Sequence, residues 1–213
     1  MSKREIEVIR LGRIRYGDAM RIMEDRFQAR IKNEVGDALF LLEHEPVLTL
    51  GRSAEESNIL MESRKLADMG VEVFHTGRGG DVTYHGPGQL VGYPVISLQP
   101  DRKDVRRYVH DIEEVMIKTI DHYGIVGDRL EGKIGTWVNQ ERKIGAIGVR
   151  LSRWVTSHGF ALNVSTDLEG FDLIIPCGLK DFGVTSIQIE SGSAPSLEEV
   201  TDRVEEAFHQ VFW

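Results

Sequence analysis

Only three stretches of this 213-residue chain keep an apolar face at helical spacing, and strand-like segments fill the intervals between them. That order constrains the fold more than any other feature. The first face is Tyr16, Met20, Met23, Phe27 and Ile31, at steps of four and three. The second runs through Val105, Tyr108, Val109, Ile112, Val115, Met116 and Thr119, with Asp101 or Asp104 placed to cap its start. The third is Leu197, Val200, Val204, Ala207, Phe208 and Val211, opened by the capping box Ser196-Leu197-Glu198-Glu199. Strands are expected at 6–11, 38–42, 47–50, 71–74 and 90–98, and further extended segments at 155–163 and 173–175. Residues 136–138 and 144–149 flank a hairpin turn at 139–142. A regular βαβ repeat would alternate helix with strand, whereas here many strands are consecutive. The pattern predicts an α+β fold, a mixed β-sheet with packed helices. Length and an apolar content of 41% suit a single domain over 1–213.

Acids outnumber bases 34 to 26, for a net charge of -8, which argues against a general nucleic-acid binder. The lone cysteine, Cys177, excludes an intramolecular disulfide and a multi-cysteine metal site. The seven histidines show no metal-ligand spacing, so no metal is expected. The longest uncharged run, 82–100, carries three prolines and three glycines and does not read as a lipid-facing helix. The first twenty residues lack the apolar region of a signal peptide. A cytoplasmic protein with no membrane partner is expected.

Chemistry concentrates between residues 76 and 179. Cys177 sits in Ile174-Ile175-Pro176-Cys177-Gly178-Leu179. Most lone cysteines are small buried hydrophobes. A proline before and a glycine after can instead present the side chain on a turn near free amide groups, as a nucleophile needs. Its partner on residue chemistry alone could be His85, His158 or Lys143, the last leading the glycine-rich run Lys143-Ile144-Gly145-Ala146-Ile147-Gly148-Val149. Arg78-Gly79-Gly80-Asp81-Val82-Thr83-Tyr84-His85-Gly86-Pro87-Gly88-Gln89 packs four glycines into 78–88, so its backbone can approach a ligand or hold an anion. It matches neither a dinucleotide fingerprint nor a P-loop.

Together these segments resemble octanoyltransferases (lipoyl(octanoyl) transferases) of lipoate biosynthesis. The matching stretches are 78–89, Lys143 to Arg150, His158-Gly159-Phe160-Ala161-Leu162-Asn163, Pro176 to Leu179 and Leu42 to Arg52, within roughly 40–185. The resemblance implies the fold of biotin and lipoate ligase catalytic domains, and a Cys177–Lys143 dyad. It implies an acyl pocket lined by Arg78, Gly79, Gly80, Asp81, Val82, Thr83, Tyr84 and His85, by Ala146, Ile147 and Gly148, and by Gly159, Phe160 and Ala161. The histidines then drop out as the base.

The implied reaction passes an octanoyl group from an acyl carrier protein thioester, through Cys177, to a lysine of a lipoyl domain. The acceptors would be lipoyl domains of 2-oxoacid dehydrogenase acyltransferase subunits and the glycine cleavage carrier protein. The donor is already activated, so no ATP or other cofactor is expected. Phe74, Tyr84, Ile147 and Phe160 are apolar candidates for the acyl tunnel. The alternatives are an ATP-dependent lipoate or biotin ligase, and a binding module in which Cys177 is inert. Acidic carrier domains would need a local basic face. Residues 1–36 hold nine bases against six acids, and 101–107 hold Arg102, Lys103, Arg106 and Arg107 against two acids.

Overall fold

The computed structural model describes residues 5–175 and 182–212. An eight-stranded sheet forms its centre, in the order β1 (Ile6–Ile14), β2 (Asp37–His44), β6 (Gln89–Val95), β10 (Val155–Asn163), β9 (Arg142–Ser152), β8 (Lys133–Val138) and β7 (Gly127–Leu130). Short β11 (Gly183–Val184) adds to β9 in parallel. β1 and β2 are parallel because α1 (Tyr16–Ile31) carries the chain back between them; the other neighbours along that path are antiparallel. A second sheet, β4 (Glu72–His75), β3 (Val47–Leu50) and β5 (Val82–His85), stands beside it.

Period-two alternation explains the layering. On β2, Leu39 and Leu41 face one way, into a core with Tyr108, Ile112, Val115 and Met116 of α3 (Val105–Asp121) and Val200, Val204 and Phe208 of α5 (Leu197–Phe212). Ala38, Phe40 and Leu42 face the other way, onto Ala19, Met23 and Phe27 of α1. With both faces covered, all eight residues of β2 are buried. A third core sits under the small sheet, where Leu48, Leu50, Val82 and Tyr84 meet Leu66 of α2 (Ser63–Asp68) and Leu173. The caps fall where the sequence put them. Asp104 accepts from Arg106 N at 2.9 Å and Arg107 N at 3.1 Å, and Ser196 Oγ accepts from Glu199 N at 3.1 Å.

The differences have local causes. Residues 173–175 do not form a strand: a 3₁₀ turn spans Leu168–Leu173, and only Ile174 makes a bridge, to Ile59. The glycine-dense stretch after β4 contains a strand, β5, because β3 supplies its ladder. α2, α4 (Ile187–Ser191) and β7 are too short or too polar to show a period. No described helix is long and apolar enough to cross a membrane.

The N-terminal bases are largely neutralised. Arg10 pairs with Asp202 and Glu205, Arg13 with Glu43, Arg26 with Glu7, and Arg30 with Asp37. Arg102 is also taken, by Asp111 at 2.6 Å, while Arg106 and Arg107 stay exposed on the first turn of α3.

Candidate active site

β5, β9 and β10 converge on a cavity of about 480 Å³. Residues 78–83, His85, Lys143, 146–148 and 159–161 all line it, joined by Tyr16, Gln89, Tyr93 and Val109. The structure thus gathers segments more than eighty residues apart, and turns one chosen residue away. Tyr84 does not line the cavity; its ring packs edge-on against Phe171 at 5.6 Å in the third core. Phe74 also lies outside the cavity, against the Tyr16 ring at 5.0 Å. Cys177 and its neighbours 176–181 lie outside the described residues.

Arg78 anchors the glycine loop. It is 8% exposed, and its Nη2 donates to the backbone oxygen of Thr49 at 2.6 Å and to Thr49 Oγ1 at 2.8 Å. Nη1 donates to Gly79 O at 3.0 Å. Burial pushes this guanidinium below its ordinary value, and the nearby hydroxyls Tyr16 and Tyr93 and the carboxylate Asp81 pull the other way. The loop backbone is tied on both sides, by Gly79 N to Val149 O at 2.9 Å and Ser53 N to Gly80 O at 3.2 Å. Gly148 lies so close beneath that a Cβ there would sit 2.9 Å from Arg78 Cδ and 3.1 Å from Gly79 O. Only a glycine lets β9 carry the loop at that height.

Hydrogen bonds fix the histidine tautomers. His44 Nδ1 faces the backbone oxygen of Ile14 at 3.1 Å, so Nδ1 carries the proton and Nε2 accepts from the Tyr93 hydroxyl at 2.7 Å. Asn163 Nδ2 donates to Thr185 O at 2.9 Å, so Asn163 Oδ1 accepts from Gln89 Nε2, also at 2.9 Å. Gln89 Oε1 is then left to accept from His85 Nδ1 at 2.6 Å. His85 therefore keeps its Nε2 lone pair in a ring that lines the cavity. Burial pushes all three rings down, His44 to about 4, His85 to about 3 and His158 to about 4, and Arg78 adds to the fall for His85 and His158. These groups are neutral near pH 7 and are not ready-made bases.

Lys143 is half-buried on β9. Its Nζ donates to Ile134 O at 3.0 Å and stands 4.7 Å from the centre of the Trp137 ring. Trp137 is its cross-strand partner in the β8–β9 register. The sequence reading did not single out this tryptophan: a turn at 139–142 sets Val138 opposite Lys143, whereas the observed pairing of Val138 with Arg142 moves the lysine on to Trp137.

A family model described as the lipoyl protein ligase A/B catalytic domain matches residues 15–209. Curated relatives bear the name octanoyltransferase. The protein from Myxococcus xanthus is 50% identical over 97% of this chain, which spans 59% of that protein's length. Those from Caldicellulosiruptor bescii and Chloroflexus aurantiacus are each 47% identical, over 97% and 98% of this chain and 91% and 95% of their own. Among solved structures, a bi-partite lipoate protein ligase from Thermoplasma acidophilum superimposes with TM-score 0.78 at 16% identity, covering 98% of this chain and 84% of that one. Lipoate-protein ligase A bound with ATP gives 0.73 at 16%, over 98% and 85%. Biotin protein ligase from Aquifex aeolicus gives 0.58 at 14%, over 97% and 70%. The α+β architecture is therefore that of lipoate and biotin ligase catalytic domains.

Proposed function

The chain belongs to the lipoyl protein ligase A/B catalytic-domain family, and on that footing we propose that it is an octanoyltransferase, moving an octanoyl group to a lysine of lipoyl domains. The observation that carries this reading is the 44–50% identity to octanoyltransferases over nearly the whole chain. Fold likeness alone does not choose between transfer and ligation, because the ligases share it.

The donor in this reading is octanoyl thioester on acyl carrier protein. The Cys177 thiolate attacks the thioester carbonyl, and the tetrahedral adduct expels the phosphopantetheine sulfur. Lys143, as ammonium, gives that sulfur its proton. A lipoyl-domain lysine amine then attacks the acyl-Cys177 carbonyl, Cys177 leaves as thiolate, and neutral Lys143 accepts the amine proton. Both half-reactions pass through an oxyanion. Gly79 N–H is spent on Val149 O, and in this reading the neighbouring amide of Gly80, at φ +89°, would hold it. The cavity would take the eight-carbon chain, each buried CH₂ contributing about 0.8 kcal/mol. A thioester needs no further activation, so the reaction runs without ATP. Arg106 lies one helical turn before the cavity-lining Val109, and together with the exposed Arg107 it would receive an acidic carrier.

The test is an intact mass after incubation with octanoyl-acyl carrier protein. One octanoyl group gained on Cys177, and passed on to a lipoyl domain without nucleotide, is the expected result. Acylation of the lipoyl domain that requires ATP would make the chain a ligase.

A further inference from the structure

We infer that Trp137 is a positioning residue for Lys143, setting where its ammonium stands and favouring its charged form; this deepens the transferase reading and rests on it. Four observations converge. The Lys143 ammonium lies 4.7 Å from the centre of the indole, within the range where a ring face attracts a cation. The indole is fully buried, so its ring is held in place while the ammonium above it still reaches solvent. Its own N–H donates to Lys133 O at 3.1 Å, which fixes the ring plane from the strand that carries it. Its other neighbour is Phe182, ring centres 5.2 Å apart at 67°, the first described residue after the segment holding Cys177. The same ring therefore touches the lysine on one side and the chain leading out of the cysteine segment on the other.

The backbone beside Trp137 is shaped for the lysine stem. Gly135 has φ +127°, and a Cβ there would lie 2.5 Å from Gly145 O and 3.2 Å from Lys143 Cε. Next to it, Ile134 O accepts from Nζ. The register from the turn, Val138 with Arg142 and Trp137 with Lys143, brings the indole opposite the lysine, and the β-bulge between Thr136 and Trp137 follows directly after this pair. Charged groups near this site include Glu113 of α3, whose Oε1 accepts from Gly135 N at 3.0 Å and whose Oε2 pairs with Arg129 at 3.1 Å, Lys133 over the Phe182 ring, and the Arg142–Glu190 pair at the head of β9.

A merely structural tryptophan would affect stability and leave the chemistry of the dyad unmoved. The experiment uses the chain's one cysteine. The iodoacetamide alkylation rate of Cys177 is followed against pH, alongside kcat and KM, in the parent, Trp137→Leu, Trp137→Phe and Lys143→Ala. Each variant is first shown folded by its circular dichroism. Trp137→Leu is expected to raise the midpoint of thiolate formation by about one pH unit, and to lower kcat about tenfold with little change in KM. Trp137→Phe keeps a ring, so it is expected to shift both in the same direction but less; it decides the matter alone if the leucine variant does not fold. Folded variants with the parental midpoint, while Lys143→Ala moves it, would overturn the role of Trp137. A midpoint unmoved by Lys143→Ala would instead overturn the dyad.

Discussion

Replacing Gln89 with methionine should break the hydrogen-bond chain that fixes His85, at a cost that follows from the partners left behind. Gln89 is 2% exposed, and its side chain contacts His85 Nδ1, Asn163 Oδ1 and Tyr84 O at 2.6, 2.9 and 3.3 Å. Methionine fills a similar volume and makes none of these bonds. The two short contacts leave a buried donor on His85 and a buried acceptor on Asn163. Each orphan costs roughly 1–3 kcal/mol, so about 3 kcal/mol is expected in all. For a chain of this size that lowers Tm by roughly 6–12 °C. The assay is thermal and denaturant unfolding of the parent, Gln89→Met, His85→Phe and the double variant. Removing both partners should cost less than the sum of the singles, by about 1 kcal/mol, because the histidine orphan disappears with its ring. A Gln89→Met protein within about 0.5 kcal/mol of the parent, or a strictly additive double variant, would refute the argument.

Two further outcomes follow from the site. The buried histidines have folded-state values depressed below the ordinary 6.5, to about 4 for His44 and His158. The unfolded chain therefore takes up protons first, and stability should fall as pH drops from about 6.5 toward 4, by up to roughly 3 kcal/mol for one such ring. His158→Asn, with asparagine tolerant of the φ of +55° found there, should flatten that slope in denaturant titrations at pH 7, 6 and 5; an unchanged slope would remove His158 from the account. Charge reversal at Arg106 and Arg107 should raise the KM for the acyl carrier and weaken its salt dependence, and an unaltered KM would take this turn of α3 out of the docking surface.

Much of the framework was legible because two periods write it. The helices α1, α3 and α5 have 3.6-residue faces, β3 begins and ends with an apolar run, and β10 has the bounds 155–163 expected for it. The site was legible as a set of motifs and less so as a surface. A contiguous run such as 78–85 treats its members alike, but once 82–85 becomes a strand, Tyr84 and His85 point to opposite faces. The basic N-terminal segment was visible as charge, yet its partners Asp202 and Glu205 come from the far end of the chain, so its neutralisation was not. Gln89 and Asn163 stood within the quoted motifs without a role, because the bond between them joins strands 74 residues apart.

The sheet topology also sets the order in which these parts can come into being. Trp137 and Lys143 face each other across a tight hairpin, so that pairing closes a short loop at small entropic cost. The cavity wall needs Asn163 beside Gln89, and Tyr93 held beside Phe40, contacts that close long stretches of chain and are correspondingly slow to form. The lysine's own strand pair can therefore assemble early in refolding, while the cavity is among the last features to exist. A chain released before its central strands meet would carry Lys143 on its hairpin without the cavity that the lysine lines.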